Sequence, residues 1–356
     1  MEGKNTHNTA QLDAAVGSQI DDRAWRRATG SASTSPIVTT RQTVFVCTQS
    51  TLLGFDKSNG RTVLAQSLPG GVSSGPAVAD GLVVVPRDTF GEGFDDVDLD
   101  TPTLYAVDRE MGQRVWTQSF DGEDLGSVVV DHDDLYVQSN REVRRITTDG
   151  TTVWRHRFGQ SFDWRDIHSQ FRPAVTSDAV YVAHRDRLVK LDRATGESQW
   201  TRSTGETDFP PVVVNETTLL VSTGDAVVGV HPDDSRVRWR LDESPLWSPA
   251  VTDGVAVVNG DSGLLGVDST SGELEWRADD EVHVACPPVV AGGSVFAGGT
   301  TLDVVDTATG NRVDARDVRT SVDWITPDTD GLTVRVPESD GVYVERYSLG
   351  SAPSTF

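Results

Sequence analysis

GVDSTSGELEW (266 to 276) reads as the end of an apolar strand, a turn opened by Asp268 and closed by Gly272, and a second strand that carries Trp276. Asp offers a side-chain acceptor to backbone amides inside a tight turn, and Gly takes the positive φ that closes it. The same arrangement recurs as GFDKSNGRTVL (54 to 64), AVDREMGQRVW (106 to 116), RITTDGTTVW (145 to 154), KLDRATGESQW (190 to 200), GVHPDDSRVRW (229 to 239) and VVDTATGNRVD (304 to 314). Recurrence at a fixed period decides architecture before any single motif can. This is a repeat protein.

The copies end at Leu64, Trp116, Trp154, Trp200, Trp239, Trp276 and Asp314, at intervals of 52, 38, 46, 39, 37 and 38 residues. Such a period suits one four-stranded propeller blade. Trp25, 39 residues before Leu64, has no strand and turn ahead of it, whereas VYVERYSLG (342 to 350) is a strand with no Trp strand after it. The two halves make an eighth blade shared between the ends of the ring, which removes open sheet edges. The reading is an all-β, eight-bladed β-propeller over residues 20–350, with a disordered lead-in over 1–19 and a tail over 351–356.

Within a copy the strands are assignable. SPAVTDG (248 to 254) is an inner strand and turn, VAVVNGDSG (255 to 263) a second strand and hairpin, LLGVD (264 to 268) the third and ELEWR (273 to 277) the fourth. Asp-Gly, Gly-Asp and Ser-Gly pairs suit tight hairpins, and short Val-rich runs suit half-buried strands. Trp25, Trp116, Trp154, Trp200, Trp239 and Trp276 are read as blade-packing residues. Asp56, Asp108, Asp192, Asp268 and Asp306, with Gly60, Gly112, Gly196, Gly272 and Gly310, are read as turn residues.

AVDREMGQRVW and GVDSTSGELEW, each followed by a Pro-Ala-Val or Pro-Val-Val strand and an Asp-Gly or Gly-Gly turn, resemble the pyrroloquinoline-quinone (PQQ) repeat of quinoprotein-like β-propellers. The resemblance runs from about residue 20 to 350. It implies the fold and leaves two branches: quinone-dependent alcohol and glucose dehydrogenases, and the non-enzymatic lipoprotein scaffold of the outer-membrane β-barrel assembly machinery. Alcohol dehydrogenases of the first branch carry adjacent cysteines; here the only two are Cys47 and Cys286, in different blades, and no Cys-x-x-Cys-His haem site is present. The chain is therefore closer in type to the scaffold. No cofactor is expected, and PQQ with Ca²⁺ belongs to the alternative reading, a quinone-dependent oxidoreductase with a reduced site. A small-ligand sensor is the third.

The net charge is −23, from 54 acidic against 31 basic residues, and only Lys4, Lys57 and Lys190 are lysines. Self-repulsion of that size is screened in molar salt; it is the composition of a salt-adapted protein of the kind halophilic archaea make. It also argues against nucleic-acid binding, which needs a basic face. The first 20 residues show no apolar h-region and no twin arginine, and no run near 18 apolar residues is present. The expectation is a cytoplasmic, monomeric ring without a transmembrane segment, with export left open should a signal precede the sequence.

Residues shortly before each inner-strand Pro should lie at blade connections around one channel mouth. That register gives Ser74, Phe171, Phe209, Trp247 and Ala285, with His168, His283 and Trp324 nearby. Aromatics at a concave mouth anchor peptides or flat ligands; the alternative is that they plug the channel. Two segments exceed the repeat. RDTFGEGFDDVDLDTPT (87 to 103) holds Asp95, Asp96, Asp98 and Asp100 but lacks the Gly and Glu of an EF-hand-like loop, so no metal site is assigned. RFGQSFDWRDIHSQFR (157 to 172) is the preferred recognition element: Arg165, His168 and Arg172 would engage a carboxylate or phosphate, with Phe162 and Trp164 supplying apolar contact. No nucleophile elbow, phosphate loop or His-Glu-x-x-His pair is present. No residue is assigned a catalytic role, and the expected activity is capture of a protein or peptide partner at the channel mouth.

Overall fold

The computed structural model describes residues 11–12, 16–32, 34–72, 74–88, 101–122, 124–159, 172–184, 186–203, 212–214, 218–318 and 320–350. Among them every regular element is a strand, and the strands form eight sheets, the blades of an all-β propeller. Blade 6 shows the plan. Ala250–Thr252, Val255–Gly260, Gly263–Asp268 and Leu274–Arg277 (strands a to d, inner to outer) pair antiparallel in that order. Each b strand is walled in by neighbouring blades and is almost wholly buried, so it reads as a continuous apolar run. The d strands face solvent and alternate, as in Arg312–Asp317 of blade 7.

Blade 8 closes the ring. Trp324–Asp328, Gly331–Glu338 and Gly341–Gly350 supply its strands a to c, and Gln19–Ala28 is its outermost strand, antiparallel to Gly341–Gly350 with Trp25 opposite Arg346. The apolar core lies between blades rather than within one. Val257, Leu264 and Trp276 of blade 6, for instance, share a buried cluster with Val290, Val295 and Val305 of blade 7.

Two short strands were not expected. Gly71–Val72 adds to strand b of blade 2. Gln11–Leu12, inside the stretch expected to be a disordered lead-in, pairs in parallel with Val290–Ala291, the innermost strand of blade 7. The inner edge of an a strand presents unpaired backbone groups to the channel, and an extended segment satisfies them.

The antiparallel order gives the ring two unlike faces. The a–b hairpins and the Asp-x-x-x-Gly c–d turns share one, here the turn face. The b–c hairpins and the blade-to-blade connections share the other, the connection face. Gln11–Leu12 lies beside the a–b turn at Gly292–Gly293 and so lines the channel at its turn-face mouth.

Candidate partner-binding face

On the turn face the Asp-x-x-x-Gly turns close on themselves. Asp268 Oδ1 accepts from the backbone amides of Thr270 (3.0 Å) and Ser271 (2.6 Å), and the Gly272 amide donates to the Asp268 carbonyl at 2.8 Å. Asp56, Asp108, Asp192 and Asp306 make the same pair of side-chain contacts in their own turns. In blade 5 Ser235 takes the glycine position at φ 60°. Each Trp then crosses to the next blade: the Trp276 indole donates to the Thr307 carbonyl at 2.8 Å, Trp154 to Arg193 at 2.8 Å and Trp25 to Lys57 at 2.9 Å. Residues two positions after the Trp reach the same turns. Arg27 donates to the Gly60 carbonyl and Gln118 to that of Gly150, contacts that the sequence reading missed.

A cavity of about 680 Å³ opens on this face at blades 8, 1 and 2, lined in part by Arg41, Lys57, Arg109, Asp330 and Arg346. Its floor is a saturated network. Lys57 Nζ lies 3.0 Å from Asp328 and 2.9 Å from Asp330, and Arg346 grips both oxygens of Asp328 at 3.0 and 2.9 Å. Burial pushes the Asp328 carboxyl up, but hydrogen bonds from Arg346 and Lys57 outweigh it and hold the group below its ordinary value.

Both segments that exceed the repeat leave the ring on the connection face. One joins strands b and c of blade 2, after Asp88; the other joins blade 3 to blade 4, after Arg157. Asp95, Asp96, Asp98 and Asp100 of the first lie outside the described residues, as do Phe162, Trp164, Arg165, His168 and Phe171 of the second, and Phe209. Arg172 is described and is buried, and burial pushes its pKa down to about 9.

The remaining arc residues are scattered in character. Trp247 and Trp324 are half-buried, and Trp324 packs against the cluster of Ile37, Val44 and Phe55 between blades 8 and 1. His283 is exposed while its carbonyl lies over Gly299, and Ser74 is buried. The register at Ala285 is off by one. Leu246 donates to Asn259 as Ala285 donates to Gly298, so the counterpart of Trp247 is Cys286, which is fully buried. The Pro287-Pro288 pair caused the slip, because the inner strand follows the second proline. Burial also raises the Cys47 thiol to about 11, and the two cysteines form no disulfide with each other.

At the root of the blade 3 to blade 4 connection the structure assembles residues that the sequence reading did not single out. Phe158 stacks on His184 with centroids 4.0 Å apart and meets His156 edge-on at 5.5 Å. Burial lowers the His156 pKa. Glu142, fully buried, pairs with Arg144 and Arg155. Asp121 Oδ2 accepts from Arg155 at 2.5 Å and Arg157 at 2.8 Å, and the Arg144 guanidinium lies 4.1 Å over the Phe120 ring. The legible signal was the density of arginine along this stretch of sequence.

Among the described residues no three of His, Cys, Asp and Glu converge as a metal-ligand set. Among the described residues no helix is long and apolar enough to cross a membrane.

Comparison with known proteins bears on the fold and the lineage. The chain is 31% identical over 156 residues to the outer membrane protein assembly factor BamB of Nitrosomonas eutropha, an alignment covering 40% of this chain and 37% of that protein. It thus spans well under half the length of this curated relative. The crystal structure of BamB from Moraxella catarrhalis superposes with a TM-score of 0.71 at 15% identity, covering 92% of this chain and 100% of that one. Quinohemoprotein alcohol dehydrogenase from Comamonas testosteroni gives 0.75 at 12% identity, covering 98% and 80%. At such identities the superpositions speak for the fold alone. Residues 9–101, 97–209 and 184–327 match the PQQ_2 family, described as outer membrane protein assembly factor BamB, and the chain belongs to that family of PQQ-repeat β-propellers.

Proposed function

We propose that this ring is a non-enzymatic scaffold that holds a protein or peptide partner on its connection face. One observation carries the reading. Both segments that exceed the repeat leave the ring on that face, while the opposite face carries turns closed by their own hydrogen bonds, a cavity floored by a saturated ion-pair network and a channel mouth lined by Gln11–Leu12. Long connections on a rigid ring are where recognition concentrates. The name of the matching family, an assembly factor, adds support for a protein partner.

The test is a crosslinking pull-down in molar KCl with wild type and the double variant Trp164→Ala/Arg165→Ala as baits, matched for melting temperature. The expected outcome is a specific partner lost in the variant. Capture that survives the double change overturns the assignment of the connection. Saturable stabilisation by PQQ and Ca²⁺, read as a rise in melting temperature, would support the quinone-dependent reading instead.

A further inference from the structure

The cations of this acidic chain are unevenly placed. Residues 141–202, which hold strands c and d of blade 3, the following connection and all of blade 4, contain twelve Arg and Lys against eight Asp and Glu, a net charge of +4; the rest of the chain carries −27. The next two blades with the connections that flank them, residues 204–288, hold four basic and sixteen acidic residues, a net −12. All but one of the twelve cations are arginines, and the exception, Lys190, is buried.

Part of this excess is spent internally on the turn face, where Arg145 pairs with Asp134 and Arg193 with Asp131. On the connection face the balance differs. The Arg157 side chain is 62% exposed and Arg187 63%, the latter only loosely paired with Asp186 at 3.8 Å. The two flank one stack: Arg157 precedes Phe158, and Arg187 is the cross-strand partner of His184, which lies on the Phe158 ring. Arg141 is exposed beside them. Asp121 shows what the site accepts, since a single half-exposed carboxylate takes hydrogen bonds from Arg155 and Arg157 together.

We infer that the connection face over blades 3 and 4 recognises an acidic polypeptide segment, its carboxylates gripped by Arg141, Arg157 and Arg187. This rests on the scaffold reading and names the partner's chemistry. Planar guanidinium groups suit paired hydrogen bonds to carboxylates, and such contacts act at short range where salt screens long-range fields. A nucleic acid is a poorer fit: its charge runs on past the patch and meets the −12 of blades 5 and 6. A local acidic segment meets only the arginines.

The probe is a short fluorescein-labelled glutamate oligomer, followed by anisotropy in submolar and molar KCl, with an oligothymidylate of equal charge beside it. Wild type is expected to bind the glutamate oligomer saturably and the oligothymidylate much less. Arg157→Glu/Arg187→Glu should weaken glutamate binding about tenfold at unchanged melting temperature. Arg236→Glu, on the turn face and 79% exposed, should leave it intact. No binding, equal binding by the charge-reversed variant, or equal binding of the oligothymidylate each overturns the inference. Loss of loop-dependent partner capture is a separate result: capture without glutamate binding removes only the acidic partner, and glutamate binding without loop-dependent capture removes the scaffold assignment.

Discussion

Each blade-packing Trp is a joint between neighbours. Trp276 is 6% exposed, its indole donates to Thr307 of blade 7, and it lies on Gly310, where a Cβ would stand 2.6 Å from the ring. Its own blade makes room with Gly266, whose added Cβ would meet the ring at 2.0 Å. Trp276→Ala should therefore cost about 3–5 kcal/mol in denaturant unfolding, and a variant of wild-type stability would show that the joint carries no weight. The two copies without Trp are informative. Leu64 packs on Gly112 of blade 2, where an added Cβ would stand 3.4 Å from the Leu64 Cδ1, and makes no polar contact. Asp314 stands where the next blade has no c–d turn to receive an indole, because its third and fourth strands come from opposite ends of the ring; its carboxylate accepts the Ile20 amide at 2.5 Å instead. The repeat, its turns and its closure were legible because each is local in sequence or periodic. The stack of Phe158 on His184 was not, since it depends on two blades meeting.

At the scale of elements, the closing blade is held to blade 1 by the Lys57, Asp328 and Arg346 network as well as by strand pairing. All three side chains are nearly buried, so removing one partner strands charges that have left water. Asp328→Asn should cost about 3–5 kcal/mol at neutral pH. The folded-state pKa of Asp328 is lowered, so this stabilisation is present above the ordinary carboxylate value of about 3.9 and is lost as the pH falls through the lower folded-state value. The gap in stability between wild type and Asp328→Asn should accordingly narrow on acidification; a gap that stays constant into strong acid would show that the charge is not the cause. Sequence alone marked Lys57 only as one of three lysines, because its two carboxylates come from the other end of the ring. The mouth residues were half legible for a related reason. Their place before the inner strands follows from the repeat, but their exposure depends on neighbouring connections, so Ser74 and Arg172 turned out buried.

For the molecule as a whole, the excess of negative charge is its largest physical property. A net −23 on one compact ring repels itself in dilute buffer and is screened within about 3 Å at 1 M salt. If the composition reflects salt adaptation, the melting temperature should climb from low to molar KCl, and a flat profile would remove that reading. The ring itself has no beginning in a mechanical sense. Gly17 and Gly350 touch, so closely that a Cβ on Gly17 would come 2.4 Å from the Gly350 carbonyl oxygen. A peptide bridging them would supply blade 8 with the one c–d turn it lacks, and the chain could then be opened at another hairpin, such as Asp261–Ser262 of blade 6, with every blade kept. The blades keep their places by pairing and packing rather than by their order along the chain, and the geometry would accept a different starting blade.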